Sequence, residues 1–191
     1  MSIQHLKEDI VFRENIRGFD FTFLSTWGLF SPKEIDEGTQ LLIEHMEINP
    51  QDVVLDLGCG YGVIGLVAAK LASQGHIHMV DKDFVALEYA EKNAEMNFIH
   101  NTEIYLSNGF SKIDEGRTFH VIASNLPAKV GKEMISIFLH DAKKHLKPGG
   151  KLYIVTVMGL KGLIKNEFEE LFGNYEKVAG GKNYVVALAI K

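Results

Sequence analysis

Cysteine occurs once among the 191 residues, tryptophan once and proline four times. The single Cys59 excludes an internal disulfide and fits a reducing, cytoplasmic setting. No apolar run reaches the length needed to span a membrane. Residues 1–17 mix charges throughout and lack the apolar core of a signal peptide. Repeats, low-complexity tracts and interdomain linkers are missing as well. An excess of positive charge is also missing: 20 basic side chains stand against 25 acidic ones, a formal net charge of −5. That balance does not announce a nucleic-acid binder. Its distribution says more, because residues 129–191 carry 11 lysines against 6 acids, while residues 1–128 carry 9 basic and 19 acidic residues. The lysine-rich part is either a solvated helix face or a basic rim for phosphates, built from Lys129, Lys132, Lys143, Lys144 and Lys147.

What is present is a strict alternation of strand and helix patterns. The length suits one domain with a full core. Amphipathic or apolar helices are predicted over 34–46, 61–72, 84–96, 129–146 and 160–172. Strands are predicted over 53–57, 76–81, 103–107, 120–124, 151–157, 175–179 and 184–190, with Pro148-Gly149-Gly150 turning into the fifth. Gly180-Gly181-Lys182-Asn183 reads as a hairpin turn between the last two. The alternation predicts an α/β fold, a mainly parallel sheet with right-handed crossovers and one antiparallel strand from the closing hairpin. Residues 1–33 form an aromatic-rich lead-in, with Phe19, Phe21, Phe23, Trp27 and Phe30, suited to core packing or to a lid over the domain at 34–191.

The most informative stretch is Val53-Val54-Leu55-Asp56-Leu57-Gly58-Cys59-Gly60-Tyr61-Gly62. An apolar strand runs into an acidic, glycine-rich turn and then an apolar helix, the local plan by which a Rossmann-like sheet approaches a nucleoside cofactor. Cys59 sits where a small residue is wanted and reads as packing, not as a nucleophile. Gly60, Gly62 and Gly65 also fit the dinucleotide pattern, and Asp81 lies at a suitable distance to hold a ribose, so spacing alone leaves NAD open. Asp56 speaks against it, because a carboxylate there would face a pyrophosphate. S-adenosylmethionine (SAM) carries a sulfonium and an ammonium, and an acidic turn suits both. The two oxygens of Asp81 can accept both ribose hydroxyls, with a helix N-cap as the plain alternative. A glycine turn without any ligand is the plain reading of the loop itself.

The eight histidines are scattered. His76 and His78 share a strand face, but no carboxylate or third ligand is spaced to join them, so no metal site is expected. No Ser-His-Asp arrangement stands out.

The run Asp56-Leu57-Gly58-Cys59-Gly60-Tyr61-Gly62 closely resembles the first motif of class I SAM-dependent methyltransferases. From about residue 23 to 191 the chain resembles the "methyltransferase small" domain, the catalytic half of ribosomal RNA guanine-N2 methyltransferases. Further landmarks are Gly28-Leu29-Phe30-Ser31, Ile35-Asp36-Glu37-Gly38-Thr39-Gln40-Leu41-Leu42, Val80-Asp81, Ser107-Asn108-Gly109-Phe110, Asn125-Leu126-Pro127, Gly131-Lys132 and Leu146-Lys147-Pro148-Gly149-Gly150. The resemblance implies a seven-stranded sheet with the last strand inserted antiparallel and helices on both faces. It implies SAM as cofactor and RNA as partner. It places Asn108-Gly109 at the adenine, with Asn108 replacing the usual acid, Phe30, Gly38 and Thr39 near the methionine end, and Lys132 near substrate phosphate. Several such enzymes carry an extra N-terminal RNA-binding domain, for which a chain of this length is expected to have no room.

Methyltransferases acting on exocyclic or amide nitrogens carry Asn/Asp-Pro-Pro and an aromatic residue where this chain has Asn125-Leu126-Pro127-Ala128. The asparagine oxygen and the following backbone carbonyl accept the two amino hydrogens and hold the lone pair toward the methyl group, so orientation supplies much of the rate. Leu126 keeps that carbonyl. Ala128 cannot stack on a base, a contact typically worth about 1–3 kcal/mol, and Phe21, Phe23 or Phe30 is the candidate replacement. The expectation is an N-methyltransferase acting on guanine N2 of ribosomal RNA. The alternatives are transfer to a protein amide or a small molecule, and a non-catalytic SAM- or RNA-binding module with a degenerate motif.

Overall fold

A computed structural model describes residues 8–127 and 131–191. Its centre is a seven-stranded sheet in the order β5-β4-β3-β6-β7-β9-β8. The strands are β3 (Val53–Leu57), β4 (His76–Asp81), β5 (Thr102–Leu106), β6 (Phe119–Asn125), β7 (Leu146–Val157), β8 (Glu176–Gly180) and β9 (Tyr184–Ile190). β9 lies between β7 and β8 and is antiparallel to both, while β3 to β7 pair in parallel. The helices are α1 (Glu37–His45), α2 (Val63–Leu71), α3 (Phe84–Met96), α4 (Lys132–His145) and α5 (Lys161–Phe172). None among the described residues is long and apolar enough to cross a membrane.

Successive strand side chains point to opposite faces, and that period sorts the core into two layers. Val54, Ile77, Met79, Val121, Ala123 and Val155 face α1, α2 and α3. Leu55, Val80, Ile122, Leu152 and Ile154 face α4 and α5. A parallel strand covered on both faces must be apolar at consecutive positions, which is why β3 reads as a continuous apolar run.

The lead-in holds a structure that the sequence did not disclose, a hairpin of β1 (Ile10–Ile16) and β2 (Phe19–Ser25). Its two-residue turn, Arg17-Gly18, has positive φ at both positions, which matches the twist of the flanking strands. Phe21 and Phe23 are fully buried in the first core layer. The outer edge of β2 is satisfied by side chains instead of a further strand. Asn93 accepts from the Leu24 N–H and donates to its carbonyl, and Asn97, one helical turn on, does the same for Thr22. At the other end Arg17 donates to the carbonyls of Ile43 and Met46, capping the negative end of α1.

Other boundaries shift for local reasons. α1 begins at Glu37 rather than 34 because the Asp36 carboxylate accepts from the Gly38 and Thr39 N–H groups and caps the helix there. α4 begins at Lys132, after Gly131 at its N-cap. Pro148-Gly149-Gly150 falls inside β7 as a bend, with Gly149 at φ 75° and the pairing to β6 shifted across it.

Candidate functional site

The strand order reverses between β3 and β6, and ligands of open α/β sheets bind at the carboxyl ends beside such a reversal. The loop after β3 stands there. The N–H groups of Gly58 and Cys59 both donate to the Val80 carbonyl, at 2.8 and 2.9 Å. Gly58 and Gly60 have positive φ, and a Cβ built on either would meet no atom within 4 Å. These two glycines therefore leave an open cradle in front of the backbone. Gly62 serves a different purpose, since a Cβ there would lie 2.8 Å from the Met79 side chain. It lets α2 pack on β4 and faces the core, away from the cradle.

Asp56 is completely buried. Its Oδ2 accepts from the Gly65 N–H at 2.7 Å, and its Oδ1 has no partner among the described residues. Desolvation pushes its pKa up to about 7, against the Gly65 hydrogen bond, with the charge of Asp81 adding to the rise. A buried carboxylate oxygen without a donor beside an open cradle fits a cationic group. Asp81 braces the cradle from β4, its Oδ2 accepting from the Gly60 N–H and its Oδ1 from the Asp83 N–H, both at 2.9 Å. Asp83, not Asp81, caps α3 through Val85. Each Asp81 oxygen retains further acceptor capacity. Burial first, and then the charges of Asp56 and Asp81, raise the Cys59 thiol well above its ordinary range. That is the behaviour of a packing residue.

Beyond β5, Asn108 is exposed and Gly109 has φ 59°, with the Phe138 ring of α4 closing on its open side. Ser107 ties this turn by accepting from the Lys112 N–H and donating to the Gly109 carbonyl. Beyond β6, Ser124 donates to the Leu57 carbonyl at 2.7 Å and fastens the two strand ends together. Asn125 follows. Its Nδ2 donates to Asp36 Oδ2 at 3.2 Å and to Thr39 Oγ1 at 2.9 Å. Both amide hydrogens are thereby used on α1, and the side-chain oxygen is turned away from those acceptors. Leu126 is buried in the second core layer and its N–H donates to Val155, while Pro127 is exposed. The Tyr61 hydroxyl donates to the Ser31 carbonyl and ties the glycine loop to the segment bearing Phe30, which is 65% exposed. Gly38 has the Tyr184 ring directly against it, so no larger residue fits there.

Asp36 is the side chain at this site that sequence reasoning passed over. It stood inside a quoted landmark, and an Asp-x-Gly-Thr start to a helix signals a cap. Nothing in the sequence signals its grip on Asn125. One expectation is corrected. Phe21 and Phe23 are buried and cannot stack on a base, which leaves Phe30 of the three. Of the five lysines weighed as a basic rim, three have partners of their own. Lys143 donates to the Leu171 carbonyl, Lys144 lies 3.9 Å from Glu115 and Lys147 lies against His120. Lys143 is also roughly 17 Å along α4 from Lys132 at 1.5 Å per residue. Lys132 is exposed at the start of α4, and Lys129 lies outside the described residues. A cavity of about 360 Å³ lined by Glu47, Asp52, His120 and Lys147 opens at the amino ends of β3 and β6 and shares no residue with this site.

The chain matches the family model described as the methyltransferase small domain over residues 20–188. It is 39% identical to the uncharacterized protein YbxB of Bacillus subtilis (strain 168), over all of this chain and 94% of that one. It is 38% identical to ribosomal RNA small subunit methyltransferase C of Haemophilus influenzae (strain 86-028NP), over 84% of this chain and 48% of that protein. Among solved structures, the Thermus thermophilus 16S rRNA N2 G1207 methyltransferase RsmC, in complex with AdoMet and guanosine, superimposes with a TM-score of 0.86 at 27% identity. That match covers 96% of this chain and 50% of the other. The chain thus spans about half the length of the named ribosomal RNA methyltransferases it matches.

Proposed function

The chain belongs to the methyltransferase small domain family, and from that premise we propose that it is a SAM-dependent N-methyltransferase whose target is the exocyclic N2 of guanine in ribosomal RNA. Bound SAM would supply an electrophilic methyl group. The cradle of Gly58 and Gly60 would take its backbone-facing side, Asp81 its ribose hydroxyls, Asn108-Gly109 its adenine edge, and the unpartnered Oδ1 of Asp56 its cationic end. Phe30, on the segment that Tyr61 ties to the glycine loop, and Gly38 would lie toward the methionine end of SAM. Lys132, with Lys129, would meet substrate phosphate.

The observation that carries the reading is the fixed amide of Asn125. Asp36 and Thr39 consume its two hydrogens, so only its oxygen remains to accept from an incoming amino group. An amino nitrogen conjugated to a ring has a delocalised lone pair. Accepting its hydrogens at Asn125 Oδ1 and at the Leu126 carbonyl turns that lone pair toward the electrophile. Orientation, not a strong base, supplies the acceleration, and the proton departs after transfer, when the nitrogen is cationic and acidic.

A second reading has one observation in its favour. With Phe21 and Phe23 buried, the described site has few aromatics to stack on a base, which suits a protein amide or a small molecule. Incubation with methyl-labelled SAM, naked ribosomal RNA and separated ribosomal subunits, followed by nucleoside digestion, separates the readings. Label in N2-methylguanosine that is lost in Asn125→Ala supports the first. SAM binding without labelled nucleoside excludes it and moves the search to non-RNA acceptors.

A further inference from the structure

At the opposite end of the sheet, the parallel pairing of β4 with β5 sets Glu103 directly beside His78 in register. His76 lies two residues back on the same face. The carboxylate that no sequence spacing brought to the two histidines is supplied by this neighbouring strand. His78 Nδ1 lies 3.4 Å from Glu103 Oε2, and His76 Nε2 lies 3.8 Å from the same oxygen. One ligand atom from each of the three falls within 4.8 Å of the others. We propose that His76, His78 and Glu103 form a binding site for a divalent transition-metal ion of the zinc type, clamping edge strand β5 to β4.

The donor set is two imidazoles and one carboxylate, which suits zinc and its neighbours and not the oxygen-seeking calcium or magnesium. Ligand bonds of about 2.0–2.1 Å at tetrahedral angles put neighbouring ligand atoms roughly 3.3 Å apart. The two separations to Glu103 are near that figure. The remaining adjustment falls to His76, whose side chain is 44% exposed and free to swing. The fixed member is His78, which is buried and held edge-on by the rings of Tyr105 and Phe119. The Tyr105 hydroxyl, 3.3 Å from His78 Nδ1, stands beside the ligating nitrogen. Glu103 and His76 open to solvent, so water can occupy a fourth position. The cluster lies at the amino ends of β4 and β5, whereas the glycine loop and Asp81 lie at the carboxyl ends. Its role is therefore separate from methyl transfer.

Zinc chloride titrated by calorimetry into the metal-stripped full chain tests this. The expected result is one saturable equivalent, weakened at least tenfold in both His76→Ala and Glu103→Gln and unchanged in His140→Ala, an exposed histidine elsewhere. Cobalt in place of zinc should give a visible absorption band that Glu103→Gln loses. Both ligand variants change exposed side chains, so folding is checked by circular dichroism. No saturable binding, or binding that Glu103→Gln and His76→Ala leave intact, overturns the site.

Discussion

The side-chain amide of Asn125 donates to the hydroxyl of Thr39 at 2.9 Å, joining positions 86 residues apart. Thr39 stands in the first turn of α1, and Asn125 ends β6. The hydroxyl is therefore an orienting acceptor for the amide. Thr39→Val keeps the shape and removes the oxygen, while the N–H that Asp36 caps is untouched. Losing one such bond costs about 1–1.5 kcal/mol, so the transfer rate should fall roughly tenfold. Thr39→Ser should restore it. Single-turnover rates at saturating SAM measure this, and an unaltered rate in Thr39→Val would detach the contact from the chemistry.

Asp81→Ala should weaken SAM binding by more than tenfold, about 1.4 kcal/mol. Two effects would combine, because the carboxylate proposed to hold the ribose also holds the Gly60 N–H. Calorimetric titration with SAM gives the answer, and equal affinities would remove Asp81 from the cofactor site.

Asn93 is fully buried and serves Leu24 on both sides of its peptide while also donating to the Tyr61 carbonyl. Asn93→Ala strands those groups in the interior. Buried unsatisfied groups cost about 1–3 kcal/mol each, and partial relaxation leaves an expected loss of roughly 2–4 kcal/mol. Urea denaturation measures it. Asn97→Ala, at a slightly less buried position, should lose less.

Burial holds the Asp56 pKa near 7 in the folded chain, against 3.8 as its ordinary value. Between those values the folded state binds more protons than the unfolded state. The contribution of Asp56 to stability is therefore most favourable below about pH 4, declines as pH rises toward 7 and levels above it. Asp56→Asn keeps an acceptor for the Gly65 N–H and removes the titration. The stability of the wild type relative to Asp56→Asn should fall across pH 4–7. A flat difference would show that Asp56 titrates alike in the folded and unfolded chain, so that burial does not raise it.

The parts legible in the sequence are those written locally. The apolar run of β3, the glycines at 58 and 60 and the strand–helix alternation each depend on near neighbours, and the sheet follows from them. The β1–β2 hairpin escaped because Arg17-Gly18 is an unusual turn pair and the consecutive Arg13-Glu14-Asn15 interrupts any apolar alternation in β1. Phe21 and Phe23 showed their type but not their face, and only the packing on α3 settles that they are core. The Asp36–Asn125 grip and the His76–His78–Glu103 cluster depend on which elements become neighbours and in what register, which composition does not encode.

The molecule is put together in an order set by the sequence separation of its contacts. The glycine cradle is built from β3, α2 and β4, which are consecutive in the chain. The grip on Asn125 spans 86 residues, and Glu37, beside Asp36, is held by Asn183 across 146. β8 has no strand partner until β9 slides in between it and β7. Distant contacts must close large loops before they gain anything. The cradle can therefore take shape early in folding, while the hold of α1 on the Asn125 amide, which closes a far longer loop, forms later.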